Sequence, residues 1–226
     1  MRAVCLIPAR GGSKRLPRKN VADFLGRPII AYTIAAAKAS GLFARVVVST
    51  EDAEIAAVAE RHGAELAQRD PALATDGARL TDVCLDFLAS EESAGRAYDT
   101  FACLLATAPL RGADDIRAVH GLLGSGCAFA MAVTTYGLPA HQALRMADDG
   151  GCAPMWPDLI NLRSQEAPRL VVDNGSTYFA TVAAFREHRT FYGPSLRGYS
   201  MPRERSVDID EPADLDLARY WAQKPA

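Results

Sequence analysis

Residues 8–20 form a cationic loop with two adjacent glycines, directly after a short apolar run at 3–7. Gly11 and Gly12 let the backbone turn tightly and present its N–H groups. The loop also holds five cations, which are Arg10, Lys14, Arg15, Arg18 and Lys19. Because main-chain N–H groups and fixed positive charges bind phosphate, this composition predicts a phosphate-binding loop. The alternative is a solvated basic loop around an ordinary turn.

The spacing of these glycines matches neither of two common phosphate motifs. The loop lacks the G-x-x-x-x-G-K-[ST] pattern of the Walker loop and the G-x-G-x-x-G fingerprint of dinucleotide-binding folds. We therefore expect phosphate to be bound here in another way.

A pair of aspartates near the end of the chain is the second candidate for chemistry. Asp208 and Asp210 alternate with Val207 and Ile209. In a strand, which we predict over 206–209, both carboxylates point to one face and into a cleft. Two adjacent carboxylates repel unless a cation joins them, and Mg²⁺ is the natural occupant. The alternatives are a solvated strand edge, or Asp210 as the N-cap of a helix that begins at Pro212.

Together these two features predict nucleotidyl transfer. That reaction needs neutralised charge on a triphosphate, a positioned nucleophile and a metal ion across the phosphates. The loop supplies the first and the aspartates hold the third, so the candidate catalytic residues are Arg10, Lys19, Asp208 and Asp210. No residue stands out as a general base, which leaves the metal or a locally basic environment to activate the nucleophile.

The loop also resembles a known family. Residues 7–15 and 18–20 look like the nucleotide loop of the acylneuraminate cytidylyltransferases, the CMP-sugar synthetases that act on sialic acid and related nine-carbon acids. Weaker matches lie at 48–52, 69 with 73–76, 106–111 and 163–165, and a specific one lies at 207–210. The resemblance therefore covers nearly the whole chain.

The resemblance implies CTP as a substrate, Mg²⁺ as the cofactor on Asp208 and Asp210, and two groups of binding residues. The CTP-binding group is Ala9, Arg10, Gly11, Gly12, Ser13, Lys19, Asn20, Arg69, Thr107 and Ala108. The group expected to line the sugar pocket is Leu105, Arg163, Gln165, Asn174 and Tyr178. Three of these have alternatives, which are an ion pair of Arg69 with Asp70 or Asp76, a plain turn at 174–175, and a core position for Tyr178.

Two positions point to a branch within that family. Many members that activate sialic acid carry Gln and Ser where this chain has Leu105 and Ala108. The Ala-Thr-Ala-Pro, Arg-Ser-Gln and Asp-Asn-Gly stretches look more like the pseudaminic acid branch. The resemblance therefore implies transfer of CMP to pseudaminic acid with release of pyrophosphate. N-acetylneuraminate, legionaminate or Kdo are alternative acceptors, and a non-catalytic nucleotide-binding protein is the alternative of another class.

Composition limits the remaining choices. The 226 residues are 49% hydrophobic and 23% charged, which suits one soluble α/β domain over 1–226. The net charge of −2 indicates no general attraction to nucleic acid, and no apolar run reaches the ~18 residues of a membrane span. The apolar start is too short for a signal peptide, and the five scattered cysteines suit reduced thiols. We expect a cytoplasmic protein.

Apolar runs of strand length alternate with helical patterns along the chain. We predict strands over 3–7, 45–49, 64–67, 100–105, 127–133, 177–182 and 206–209, and helices over 28–40, 53–62, 80–90, 113–123, 181–187 and 212–222. Strands this apolar indicate a mainly parallel sheet between helical layers, hence a Rossmann-like three-layer α/β/α nucleotidyltransferase fold with ligands at the carboxyl ends of the strands.

Residues 136–170 break the alternation, because they are rich in Gly, Pro and polar groups. We interpret them as an insertion with Met155 and Trp156 exposed in a loop or hairpin. The family resemblance implies that it contributes to a homodimer contact or covers the sugar site. A long connector is the alternative.

Overall fold

A mixed seven-stranded sheet runs through the chain in the computed structural model, which describes residues 2–124 and 126–224. Four residues of the predicted domain over 1–226 lie outside the described residues, namely Met1, Ser125, Pro225 and Ala226. Within those ranges the strands are β1 (Ala3–Pro8), β2 (Asp23–Phe24), β3 (Arg27–Pro28), β4 (Phe43–Thr50), β5 (Glu65–Gln68), β6 (Thr100–Leu104), β7 (Phe129–Thr134), β8 (Leu144–Met146), β9 (Cys152–Pro154), β10 (Val172–Thr181) and β11 (Arg197–Ser200). The α-helices are α1 (Ile29–Ser40), α2 (Ala53–Arg61), α3 (Leu80–Ser93), α4 (Ala113–His120), α5 (Val182–His188) and α6 (Pro212–Ala222).

The strand order in the sheet is β11-β7-β10-β6-β1-β4-β5, and β2–β3 and β8–β9 form two separate hairpins. All neighbours in the large sheet are parallel except β10, which runs antiparallel to both β6 and β7. The predicted mainly parallel sheet is confirmed. The parallel strands therefore open their carboxyl ends on one edge, where a ligand can meet several loops at once.

Helices cover both faces of this sheet, as the apolar strands predict. Along β1, Cys5 and Ile7 belong to the core cluster that contains Ile30 of α1. Val4 and Leu6 belong to the other cluster, with Phe87 of α3. Successive side chains of a strand point to opposite faces, so a strand buried on both faces has no polar position. The three-layer α/β/α arrangement is confirmed.

Several elements differ from those predicted. The strand over 206–209 is wrong: within the described ranges these residues pair with no strand, and they lead from a 3₁₀ turn at Arg203–Arg205 into α6. Strand β11 falls where no strand is predicted, because its Arg-Gly-Tyr-Ser sequence lacks the apolar signal and it forms by pairing with β7. Helix α4 ends at His120, earlier than predicted.

Strand β10 begins at Val172, earlier than predicted, and contains a large bulge. Asp173 pairs with Val133 and Tyr178 pairs with Met131, so four residues of β10 lie opposite one residue of β7. Gly175, with φ of +67°, allows this excursion because a glycine adopts positive φ without strain. The bulge lies beside the carboxyl ends of β6 and β7.

The segment at 136–170 forms the β8–β9 hairpin and irregular loops outside the large sheet. Met155 and Trp156 are exposed directly after β9, as predicted, and several other apolar side chains of this segment are also exposed, namely Tyr136, Leu138, Leu144 and Met146. In the part of the chain that the structure describes, none of the helices has the length and apolar character to span a membrane.

Candidate active site

A cleft of about 270 Å³ opens at the carboxyl edge of the sheet. Its lining joins the cationic loop, the end of β6, the segment between β5 and α3 and the segment before α6. The polar lining residues include Arg10, Lys19, Asn20, Arg69, Asp76, Thr107, Asp208 and Asp210. Residues nearly 200 positions apart in the chain therefore meet in one cavity.

The loop after β1 is held against the end of β4. Ala9 donates its N–H to the Ser49 carbonyl at 3.0 Å, and Gly11 donates its N–H to Oε1 of Glu51 at 2.7 Å. A Cβ on Gly11 would lie 2.5 Å from Oδ2 of Asp52, whereas a Cβ on Gly12 would meet nothing within 4 Å. Only Gly11 is therefore required by packing, and Gly12 lies exposed at the tip of the loop.

Arg18 fastens this loop to helix α2. Its guanidinium donates to both carboxylate oxygens of Asp52, at 2.5 and 2.9 Å, and also pairs with Glu54. Asp52 in turn accepts the N–H groups of the first turn of α2. The hydrogen bond from Arg18, with the backbone bonds and against the effect of burial, lowers the pKa of Asp52 to about 2. Arg18 is thus a structural cation, and the predicted phosphate cradle is left with four.

Those four cations are paired with two carboxylates. Arg10 and Lys14 contact Asp76 at 2.6 and 2.5 Å. Arg15 and Lys19 contact Asp210, both at 2.6 Å. Each carboxylate neutralises only one of its two cations, so these four cations and two carboxylates together keep a net positive charge.

Hydrogen bonds to the main chain hold three other predicted CTP-binding residues. Asn20 is buried, and its side-chain amide donates to the Arg10 carbonyl at 2.9 Å. The Ser13 N–H donates to the Gly11 carbonyl at 3.0 Å. Arg69 is buried and donates to the Ser49 carbonyl at 2.8 Å. Among the described residues Arg69 has no ion pair, so its pairing with Asp70 or Asp76 is wrong. Burial lowers the pKa of Arg69, and its guanidinium lines the cleft.

The two aspartates share a face although the strand is absent. Val207 and Ile209 are buried, while Asp208 and Asp210 line the cleft. The Ile209 N–H donates to the Thr107 carbonyl at 2.9 Å, and the Thr107 hydroxyl donates to Oδ1 of Asp208 at 2.5 Å. The N-cap position of α6 belongs to Glu211, so the alternative of Asp210 as N-cap is wrong. An extended, unpaired backbone preserves the same alternation of faces as a strand.

The two carboxylates have opposite electrostatic surroundings. Burial raises the pKa of Asp208, the charge of Asp210 adds to that, and the Thr107 hydroxyl opposes it. Partial burial works against the ionised form of Asp210, but the hydrogen bonds and charges of Lys19 and Arg15 outweigh it and lower the pKa. Within the described ranges Asp208 has no cationic partner of its own. A cation beside Asp208 would therefore stabilise the site.

These donors fit a hard divalent cation such as Mg²⁺, which prefers carboxylate oxygens and keeps several water or phosphate ligands. No cluster of three or more His, Cys, Asp or Glu residues with metal-site geometry occurs in the described part of the chain. Asp208 and Asp210 would thus supply two ligands, and phosphate oxygens and water would supply the rest.

The β10 bulge supports Asp208 from the other side. A Cβ on Gly175 would lie 2.7 Å from Oδ2 of Asp208. Asn174 is buried and holds the bulge closed, since its amide donates to the Ser206 hydroxyl at 3.0 Å and its carbonyl accepts the Ser176 hydroxyl at 2.8 Å. These bonds occupy the polar atoms of Asn174, so it braces the site and does not face the cleft.

The remaining predicted sugar residues are dispersed. Leu105 lines the cleft, whereas Ala108 is buried in the turn after β6. Tyr178 is buried and donates to Oδ2 of Asp173 at 2.9 Å, which matches the alternative of a core aromatic with a satisfied hydroxyl. Arg163 and Gln165 are exposed in the loop after β9 and are absent from the cleft lining of a single chain.

Sequence reasoning missed the role of Arg111. This guanidinium is almost fully buried and donates to the Ser176 carbonyl at 2.6 Å, the Leu105 carbonyl at 3.3 Å and the Thr33 hydroxyl at 2.7 Å. Arg111 thus ties the end of β6, the β10 bulge and helix α1 together. The stretch at 106–111 that resembles the family includes Arg111, but its residue types do not indicate that this side chain is buried.

A cytidylyltransferase family model matches residues 4–120, just over half of the chain. The chain belongs to the cytidylyltransferase family. It is 36% identical over 221 residues to the pseudaminic acid cytidylyltransferase of Campylobacter jejuni subsp. jejuni serotype O:2, covering 97% of this chain and 95% of that protein. It is 30% identical to the N-acylneuraminate cytidylyltransferase of Escherichia coli O18:K1:H7, over 98% of this chain and 52% of that protein.

The fold of this cytidylyltransferase is also found in a solved structure. The CMP:2-keto-3-deoxy-manno-octonic acid synthetase complexed with CTP superimposes with a TM-score of 0.73 at 18% identity, covering 98% of each chain. The expected nucleotidyltransferase fold and the resemblance to the acylneuraminate group are both confirmed.

We predict that Gly175→Ala lowers turnover by about 10- to 100-fold, because displacement of a site carboxylate by a fraction of an ångström disturbs the reacting geometry. Gly26→Ala is the matched control, since Gly26 also has positive φ but a Cβ there would meet nothing within 4 Å. The melting temperature should fall in both variants through the strain of a positive φ, and further in Gly175→Ala, where the Cβ also meets Asp208. Equal turnover in the two variants would show that the Gly175–Asp208 contact has no part in catalysis.

Proposed function

We propose that this protein transfers CMP from CTP to the anomeric hydroxyl of a nine-carbon 2-keto acid sugar, with pseudaminic acid favoured, and releases pyrophosphate. The observation that carries the proposal is the meeting of Arg10 and Lys19 with Asp208 and Asp210 in one cleft. The similarity to a pseudaminic acid cytidylyltransferase over nearly the full length of both chains supports the acceptor class.

In this reaction the anomeric oxygen of the sugar forms a bond to the α-phosphorus of CTP and its proton passes to water. The bond from that phosphorus to the bridging oxygen breaks, and pyrophosphate leaves. Arg10 and Lys19 bind the triphosphate and stabilise the charge that develops on the leaving group. Arg69, held by Ser49, adds a fixed positive charge to the same cavity. Asp208 and Asp210 would hold Mg²⁺. When bound, this ion neutralises phosphate charge and polarises the phosphoryl group.

The apolar part of the cleft favours the less polar acceptor. Leu105 lines the cavity together with Leu80 and Val83 of α3. The branch assignment rests on Leu105 and Ala108, but only Leu105 is in a position to contact an acceptor in this cleft. Pseudaminic acid lacks the hydroxyl at its ninth carbon and carries a second acylamino group, so it matches an apolar wall better than N-acetylneuraminic acid.

The acceptor proposal predicts a modest preference, because an apolar pocket rejects an added hydroxyl by at most about 100-fold. We expect kcat/KM for pseudaminic acid to exceed that for N-acetylneuraminic acid when both are assayed with CTP and Mg²⁺ by pyrophosphate release. An advantage for N-acetylneuraminic acid would contradict the branch but not the transfer of CMP. Activity on a sugar 1-phosphate alone would contradict both.

The metal proposal predicts that Asp208→Asn and Asp210→Asn each lower turnover by about 100-fold or more, and that removal of divalent cations abolishes it. Both side chains border a cleft, so the variants should stay folded by circular dichroism. Turnover is to be measured at subsaturating Mg²⁺. Unchanged turnover in either variant would remove that residue from the metal site.

The cradle proposal predicts that Arg10→Ala and Lys19→Ala each weaken CTP binding by about 1.5–3 kcal/mol, as for hydrogen bonds to charged groups. Lys38→Ala is the control, because Lys38 lies on α1 outside the cleft and donates to the Gly63 carbonyl. Titration calorimetry with CTP measures the three affinities. If all three variants bind CTP equally, the loop is not the phosphate cradle.

We also propose a homodimer in which residues 136–170 contribute to the contact. Leu138 has 82% of its surface exposed and Met146 has 73%, which favours a covered surface in the assembled protein. Leu138→Asp should shift the mass measured by light scattering from dimer to monomer, whereas Leu25→Asp, at an exposed turn between β2 and β3, should not. A monomeric natural protein at micromolar concentration would contradict this proposal.

A further inference from the structure

Asp76 lies on the wall of the cleft that faces the cationic loop. It belongs to the segment between β5 and α3, and its side chain is 47% exposed. Its carboxylate oxygens contact Arg10 at 2.6 Å and Lys14 at 2.5 Å. The Arg10–Asp76 pair joins two walls of the cavity, through residues 66 positions apart in the chain.

The fold of this segment is secured by other contacts. Arg69 is fixed to Ser49 at the start of the segment, and Asp70 accepts the Ala72 N–H at 2.8 Å. Ala78 closes the turn by donating to the Thr75 carbonyl at 3.2 Å. Asp76 is therefore dispensable for the local backbone, and what its side chain contacts is the cradle.

A carboxylate between Arg10 and Lys14 makes the contacts that a phosphate oxygen would make. The two cations exceed the single negative charge of Asp76, so the group still attracts an anion. Ion pairs this exposed are weak, because water solvates both partners. A polyphosphate that offers several charged oxygens can therefore displace the carboxylate.

We propose that Asp76 is a specificity-determining residue that occupies the position of a phosphate group on Arg10 and Lys14 and disfavours phosphate ligands that carry no divalent cation. The inference rests on the proposed function, in which Arg10 binds the triphosphate of CTP. Once displaced, the carboxylate still borders the cavity. It repels a metal-free polyphosphate more than a Mg²⁺ complex, whose net negative charge is smaller.

Binding of inorganic pyrophosphate tests this inference by titration calorimetry, with EDTA in one series and with Mg²⁺ in the other. Asp76→Asn is compared with the natural chain and with Glu60→Gln, an exposed change of the same charge on α2. In EDTA we expect Asp76→Asn to bind pyrophosphate about threefold to tenfold tighter, from the release of two exposed ion pairs. With Mg²⁺ the gain should be smaller, and Glu60→Gln should change neither series.

The outcomes separate the possible roles of Asp76. The assignment is supported if Asp76→Asn binds pyrophosphate more tightly in EDTA and if this gain is smaller when Lys14→Gln is also present. One of the two cations that Asp76 releases is then missing. Weaker or unchanged binding of pyrophosphate in Asp76→Asn would overturn the assignment. Asp76 would then be a structural link or a cation ligand. An equal gain in pyrophosphate affinity with and without Mg²⁺, or an equal gain in Glu60→Gln, would overturn the claim that Asp76 discriminates against metal-free phosphate ligands. Pyrophosphate binding needs no sugar, so these results stand whatever the acceptor assay shows.

Discussion

The geometry of the site depends on the position of the Asp208 carboxylate. Its Oδ1 accepts the Thr107 hydroxyl after β6, and its Oδ2 lies so close to Gly175 in the β10 bulge that a Cβ there would come within 2.7 Å of it. Three segments that are remote in sequence thus converge on one side chain. Because the carboxylate is largely buried and lacks a cationic partner within the described ranges, a bound cation would relieve the cost of its negative charge. Charge that is costly to bury alone becomes an affinity for a cation.

The cationic loop differs from Asp208 because its charges already have partners. They are partly exposed and paired with Asp76 and Asp210, so the ligand-free protein avoids an unneutralised cluster of like charges. Arg18 takes no part in this exchange, because its two carboxylate partners fix it to the start of α2. The loop therefore combines a rigid end at Arg18 with a group of exchangeable ion pairs. Preorganised charge of this kind stabilises a phosphoryl-transfer transition state without reorganisation of the backbone.

The sequence predicts the parts of this protein that depend on local pattern. The fully apolar β1 indicates a strand buried on both faces, and Gly11 with its cations indicates the cradle. The shared face of Asp208 and Asp210 is also predicted, although through a strand that does not form. An extended backbone and a paired strand have the same side-chain alternation, and pairing depends on a partner that the local sequence does not reveal.

The parts that could not be predicted depend on contacts between remote segments. The β10 bulge is invisible in sequence because Asp-Asn-Gly also suits a plain turn, and only the register with β7 distinguishes the two. The brace formed by Asn174 requires Ser206, which is 32 residues away. Arg163 and Gln165 are exposed beside the hairpin and do not line the cleft, so the expectation that they bind the sugar stays a prediction.

Arg111 has a consequence for how this scaffold can change. It holds the frame of the cleft mainly through main-chain carbonyls, at Leu105 and Ser176, and the Leu105 N–H itself donates to the Ser176 carbonyl at 3.1 Å. A main-chain contact is indifferent to the side chain at that position. The residue at 105 can therefore vary in size and polarity while the frame stays fixed. The cleft wall at Leu105 is thus free to diverge while the buried arginine keeps the main chain beneath it in place.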